Sequence, residues 1–85
     1  MKTFEYTVTD PLGIHARPAG MIATEAKKFT SKITISKGEK SADAARLFAL
    51  MGLSVKEGDT LTVTCTGEDE EAAVDAVHKL LEKIL

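Results

Sequence analysis

One cysteine, two prolines, one tyrosine and no tryptophan occur among 85 residues. The lone Cys65 cannot close a disulfide within the chain, and no Cys/His cluster has the spacing of a metal site. A reducing cytoplasm is the expected compartment, and neither a metal nor another cofactor is called for. No apolar run approaches membrane-spanning length. Met1 to Asp10 alternates polar and apolar residues, unlike the continuous apolar core of a signal peptide. An excess of one charge is missing too: 11 basic and 13 acidic residues leave a formal net charge of -2, with no long basic stripe. That balance argues against nucleic-acid binding and membrane insertion. Also absent are a Gly-rich nucleotide loop, a carboxylate pair beside a histidine, and a serine placed as its nucleophile. Linkers, repeats and low-complexity stretches are lacking, so residues 1–85 are expected to form one domain. A chain this short buries roughly 60% of its unfolded surface, which points to a shallow, open site instead of an enclosed cavity.

What is present is periodicity. Thr3 to Thr9 sets Phe4, Tyr6 and Val8 on one face, with Thr3, Glu5, Thr7 and Thr9 on the other, as in a half-buried strand. Asp10, Pro11 and Gly13 are turn formers that end it. From Ala16 to about Lys28 the period becomes helical, with Ala19, Ile22, Ala23, Ala26 and Phe29 on one stripe. Gly20 inside this helix costs about 1 kcal/mol against alanine, which points to close approach by a neighbouring backbone or by a docking partner. Ser31 to Lys37 alternates again and buries Ile33 and Ile35, then turns through Gly38 into a short edge strand around Lys40 to Ala42. Asp43 or a neighbour is expected to cap a short second helix that carries Leu47, Leu50 and Met51 inward and ends near Gly52. Phe48 falls off that stripe and is a candidate contact residue.

Beyond a turn at Lys56 to Asp59, Thr60 to Thr66 is the clearest strand. Leu61, Val63 and Cys65 face one way and four threonines the other, so Cys65 reads as a small buried hydrophobe. The last helix opens with Glu68, Asp69, Glu70 and Glu71, acids that complement the helix dipole. Ala73, Val77, Leu80, Leu81 and Ile84 supply its buried stripe, and His78 reads as a solvated rim residue. The order strand, helix, strand, strand, helix, strand, helix argues an α+β two-layer domain with three helices on one face of an antiparallel sheet.

The chemistry-bearing stretch is Gly13-Ile14-His15-Ala16-Arg17-Pro18-Ala19, at the junction of the first strand and first helix. Pro18 suits a first helical turn, since the amide it lacks would have no intrahelical partner. His15 is then the helix cap. The open amides of such a helix start, its dipole and the Arg17 guanidinium make an anion site around an imidazole. Imidazole with an ordinary pKa near 6.5 is substantially neutral at cytoplasmic pH and can accept a phosphoryl group covalently. Phosphoryl transfer requires mostly positioning and charge stabilisation, here from Arg17 and the amides of Ala16 and Arg17. The chain has no means of making its own donor, so the group would arrive on one partner and leave on another.

Those seven residues, together with Glu25-Ala26-Lys27, Phe29-Thr30-Ser31, Leu47-Phe48, Leu50, Leu53 and Gly67-Glu68-Asp69-Glu70, run in register with one family along the whole chain. The sequence resembles the HPr family of histidine-containing phosphocarriers from the bacterial phosphoenolpyruvate-dependent sugar phosphotransferase system. The resemblance implies an open-faced β-sandwich of order βαββαβα, with a four-stranded antiparallel sheet covered on one face by three helices. It implies that His15 accepts a phosphoryl group on Nδ1 from enzyme I and passes it to IIA domains of sugar permeases, with Arg17 assisting. Such a protein is a stoichiometric carrier and not an enzyme in its own right, and a monomer is expected of a diffusing shuttle. Leu47, Phe48 and Met51 beside Ala16 and Gly20, ringed by Arg17 and Lys27, would be the docking surface for both partners. A modest patch of this kind suits transient contacts.

Three positions depart from the family pattern. Arg46 stands where many Gram-positive members carry a regulatory serine, so that modification cannot occur there. Leu12 replaces a small polar residue next to the histidine, removing one local hydrogen bond, and Ser54 replaces a glycine near the end of the second helix. The Arg46 departure keeps an alternative open, an HPr-like regulatory or binding module that uses the same docking patch without obligate sugar-transport turnover.

Overall fold

Strict alternation builds the sheet. In the computed structural model, which covers residues 1–85, the strands are β1 (Lys2–Thr7), β2 (Lys32–Lys37), β3 (Lys40–Asp43) and β4 (Thr60–Thr66). The helices are α1 (Ala16–Ala26), α2 (Leu47–Met51) and α3 (Glu70–Ile84). The sheet order is β1-β4-β2-β3, with every neighbouring pair antiparallel. β4 is central, and its Leu61, Val63 and Cys65 are completely buried. Register places Phe4 opposite Val63, and Ile33 and Ile35 opposite Cys65 and Val63, so one apolar face runs across the sheet. The other face is rich in threonine. The expected βαββαβα open-faced sandwich is the architecture found.

Helices close the apolar face. α1 contributes Pro18, Ala19, Ile22, Ala23 and Ala26, while α3 contributes Ala73, Val77 and Leu81. Of these, Ala19, Ile22, Ala26, Ala73, Val77 and Leu81 join the sheet residues in one cluster of 19 buried residues. Burying a large aliphatic side chain such as Ile22, Ile35 or Leu81 contributes about 1.5–3 kcal/mol each. Truncating one to alanine would cost about 2–5 kcal/mol.

Several local readings are corrected. β1 ends at Thr7, and Val8 leaves the β1–β4 ladder: its amide donates to Asp59 O and its carbonyl accepts from Gly58 N, at 2.9 and 2.8 Å. α1 stops at Ala26, with Lys27 as its C-cap. Asp43 does not cap α2. Its Oδ1 accepts the Ala45 amide at 2.9 Å, turning the chain, and Arg46 occupies the cap position without a side-chain bond. Within the five residues of α2 only Leu50 is fully inside; Leu47 is half-buried and Met51 is 37% exposed. One and a half turns leave room for a single inward position. His78 is exposed but not free, because its ring stacks on Phe4 with centroids 4.5 Å apart. The acidic run Glu68–Glu71 straddles the start of α3, with Asp69 at the N-cap and Glu70 and Glu71 in the first turn, as expected. Ser54 is the one residue other than glycine with positive φ, 54°, a conformation costing about 1–2 kcal/mol for a residue with a Cβ.

Candidate functional site

The loop that carries His15 is held at both ends. Asp10 Oδ1 accepts the Leu12 amide at 2.8 Å and Asp10 O accepts the Gly13 amide at 2.9 Å, an aspartate turn of the usual kind. Gly13 has φ 64°, and a Cβ there would lie 2.0 Å from Val55 O. Only glycine lets the loop pass this close to the segment after α2. Behind it, the amides of Thr9 and Asp10 and the Thr9 hydroxyl all donate to Leu85 O, each at 2.7 Å. The loop is thereby tied to the end of α3.

His15 is the N-cap of α1, in extended conformation at φ -114° and ψ -174°. Its carbonyl accepts the Ala19 amide at 3.0 Å, and its ring makes no capping hydrogen bond. The side chain is half-exposed, so the imidazole serves the backbone as a cap only through its carbonyl. α1 has no acid in its first turn. The amides of Ala16 and Arg17 belong to the open end of the helix, where the ladder offers no partner. Arg17 is exposed and takes part in none of the five ion pairs. Leu12 is 70% exposed.

His15 and Arg17 line one shallow depression of about 360 Å³ with Asp10, Pro18, Met21, Lys83 and Ile84. Beside it lies a second, about 570 Å³, lined by Ala16, Arg17, Gly20, Met21, Thr24, Glu25 and Leu80. Arg17 and Met21 belong to both. Of the remaining residues expected in a docking patch, Lys27 is exposed at the end of α1 and Phe48 stands out at 81% exposure. Lys27, Leu47, Phe48 and Met51 line neither depression, although α1 packs against α2. At Gly20 an added Cβ would meet nothing within 4 Å. No neighbouring backbone therefore explains that glycine.

Sequence reading missed Met21, Leu80, Lys83 and Ile84 as pocket residues and treated Asp10 only as a turn former. No local signal could have found the α3 residues, because the bonds from Thr9 and Asp10 to Leu85 bring them to His15 across the whole chain. No group of three or more His, Cys, Asp or Glu side chains could hold a metal ion, and no helix is long and apolar enough to cross a membrane.

Fold and site define an open-faced α+β sandwich that presents a histidine at a helix start. The family model for the PTS HPr component phosphorylation site matches residues 2–83. Phosphocarrier protein HPr of Lysinibacillus sphaericus is 43% identical over 84 residues, covering 99% of this chain and 96% of that protein. Among solved structures, the mycoplasma histidine-containing phosphocarrier protein superposes with a TM-score of 0.94 at 34% identity, covering 96% of this chain and 93% of that one. HPr from Thermoanaerobacter tengcongensis superposes with a TM-score of 0.92, also at 34% identity, covering 98% and 93%. This chain belongs to the HPr family of phosphocarriers.

Proposed function

We propose that His15 accepts a phosphoryl group on Nδ1 from phosphorylated enzyme I and delivers it to IIA domains of sugar permeases. One observation carries this reading: the histidine of the Gly13–Ala19 stretch is half-exposed, uses its carbonyl and not its ring to cap α1, and opens with Arg17 onto a shallow pocket. A ring packed inside, or engaged with the helix, could not exchange a group between two proteins.

In the transfer, the neutral ring attacks phosphorus through Nδ1. The new N–P bond forms as the donor's bond to phosphorus breaks, and the proton that Nε2 releases is balanced by the one the leaving group takes up. Ala16 N–H, Arg17 N–H and the guanidinium supply donors to the oxygens, where fixed donors stabilise charge without reorganising. No residue of this chain has to act as acid, base or nucleotide binder. The protein is a carrier that is consumed and regenerated once per transfer. Ala16, Gly20, Lys27, Leu47, Phe48 and Met51 form the docking surface, and its modest apolar area favours rapid release.

The test mixes the protein with phosphoenolpyruvate and enzyme I, then with a IIA domain, following acid-labile phosphate. Stoichiometric loading followed by transfer is expected. His15→Ala should load no phosphate while its circular dichroism and urea midpoint stay close to those of the parent. Loading of the variant, or loading of the parent without onward transfer, would refute the carrier reading.

A further inference from the structure

Resting on the carrier reading for the identity of its ligand, we propose that Lys83 is a second cation of the phosphoryl pocket, supplied from the last turn of α3. Four ionisable groups from three parts of the chain line this depression: Asp10 from the loop after β1, His15 and Arg17 from the start of α1, and Lys83 from α3. A phosphoryl group carries between one and a half and two negative charges near neutral pH. Among these four side chains Asp10 and Arg17 carry opposite charges, which leaves Lys83 as the unbalanced cation. Its ammonium is available. Lys79, one turn earlier, is paired with Asp75 at 3.1 Å, whereas Lys83 enters none of the five ion pairs. A lysine is a mobile point charge on a four-carbon stem, suited to reach an oxygen that is present for only part of the cycle.

The placement follows from the fold and not from any motif. Thr9 and Asp10 clamp Leu85 O, which fixes the end of α3 against the His15 loop with Lys83 two residues before the clamp. A cation in the last turn of a helix also complements the helix dipole. That structural role would alter stability alone and would leave the phosphoryl group's own behaviour untouched, which gives the test its discrimination.

Phosphoramidate loads histidine without any partner protein: its P–N bond breaks, ammonia leaves, and phosphorus bonds to the ring nitrogen. On protein loaded this way, 31P NMR follows the second ionisation of the phosphoryl group. Lys83→Gln should move that ionisation to higher pH by roughly half a unit, with the displacement shrinking in high salt. Lys83→Arg should restore the parent value, and Asp10→Asn should move it the opposite way. Superimposable titrations for the parent and Lys83→Gln would overturn the proposal, as would failure of phosphoramidate to modify His15. A Lys83-dependent titration in a protein that enzyme I does not load would uphold the second cation and remove the carrier assignment. Normal loading by enzyme I with no Lys83 effect would do the reverse.

Discussion

α1 and α3 begin with the same physical resource and use it in opposite ways. Each has amides without a helical partner and the positive end of a dipole. α3 fills its start with the chain's own carboxylates. Asp69 accepts the Thr30 and Ser31 amides at 2.8 and 2.9 Å and the Ser31 hydroxyl as well. Glu70 takes the Gly67 amide at 3.1 Å and the Met1 ammonium at 2.7 Å. Gly67 allows this closeness, since a Cβ there would fall 2.6 Å from Ser31 Oγ. α1 has no acid in its first turn, whereas α3 has Glu70 and Glu71 there; neither cap side chain, His15 or Asp69, bonds to its own helix. On the carrier reading, a helix start serves as an anion site where the sequence keeps its own anions away and leaves the surface open.

The most severe way to break the contrast is to disturb the loop that holds α1 in place. Gly13→Ala forces a Cβ onto Val55 O at a positive φ, and should destabilise the fold by about 2–4 kcal/mol in urea titrations while displacing His15. Copying the α3 solution into α1 is the sharper test. Ala16→Glu places an acid in the first turn at an exposed position, so the fold should hold or gain slightly. Loading of His15 should nevertheless slow about tenfold in an enzyme I assay, through repulsion of the incoming group. Unchanged loading would mean that the acid-free start of α1 is irrelevant.

At α3 the expected effect is on acid stability. The Ser31 hydroxyl, followed by the Thr30 amide, holds the Asp69 carboxyl below the usual aspartate value, and the Met1 ammonium and the Gly67 amide do the same for Glu70. Asp59 is likewise held down by the Lys56 amide and by Lys37. For a depressed carboxyl the unfolded chain takes up the proton first, so stability rises with pH through that window. The contribution is complete above the ordinary carboxylate range, about pH 4, and is lost as pH falls through the depressed folded value. The urea midpoint should therefore drop between about pH 5 and pH 2, and Asp69→Asn should drop less steeply from a lower starting point. The smallest effect is at Gly20, where nothing crowds an added methyl. Gly20→Ala should stabilise the protein by up to ~1 kcal/mol and weaken binding to enzyme I by surface plasmon resonance. Unweakened binding would take Gly20 out of the docking surface.

Much of this was legible in the residues. The alternation of β4 and the 3.6-residue stripes of α1 and α3 announced which faces are buried, because apolar side chains have to leave water together. His15 could be placed at a helix cap from Gly13, Pro18 and the change of period alone. α2 was harder to read, since five residues carry too short a period to say which side chains lie inside. The acids before α3 looked like simple dipole partners. Their bonds to residues nearly forty positions away depend on a pairing that no local pattern encodes.

Sequence by itself determined the order of elements, the identity of the core and the residue proposed to bear the chemistry, since these follow from periodicity, turn residues and the nature of an imidazole. Tertiary structure alone decided what surrounds that residue. Lys83 and Ile84 reach His15 because backbone bonds from Thr9 and Asp10 to Leu85 join the two ends of the chain. His78 meets Phe4 because α3 lies across β1. Contacts between residues seventy positions apart are set by how the layers close, and a linear pattern carries no record of that closure.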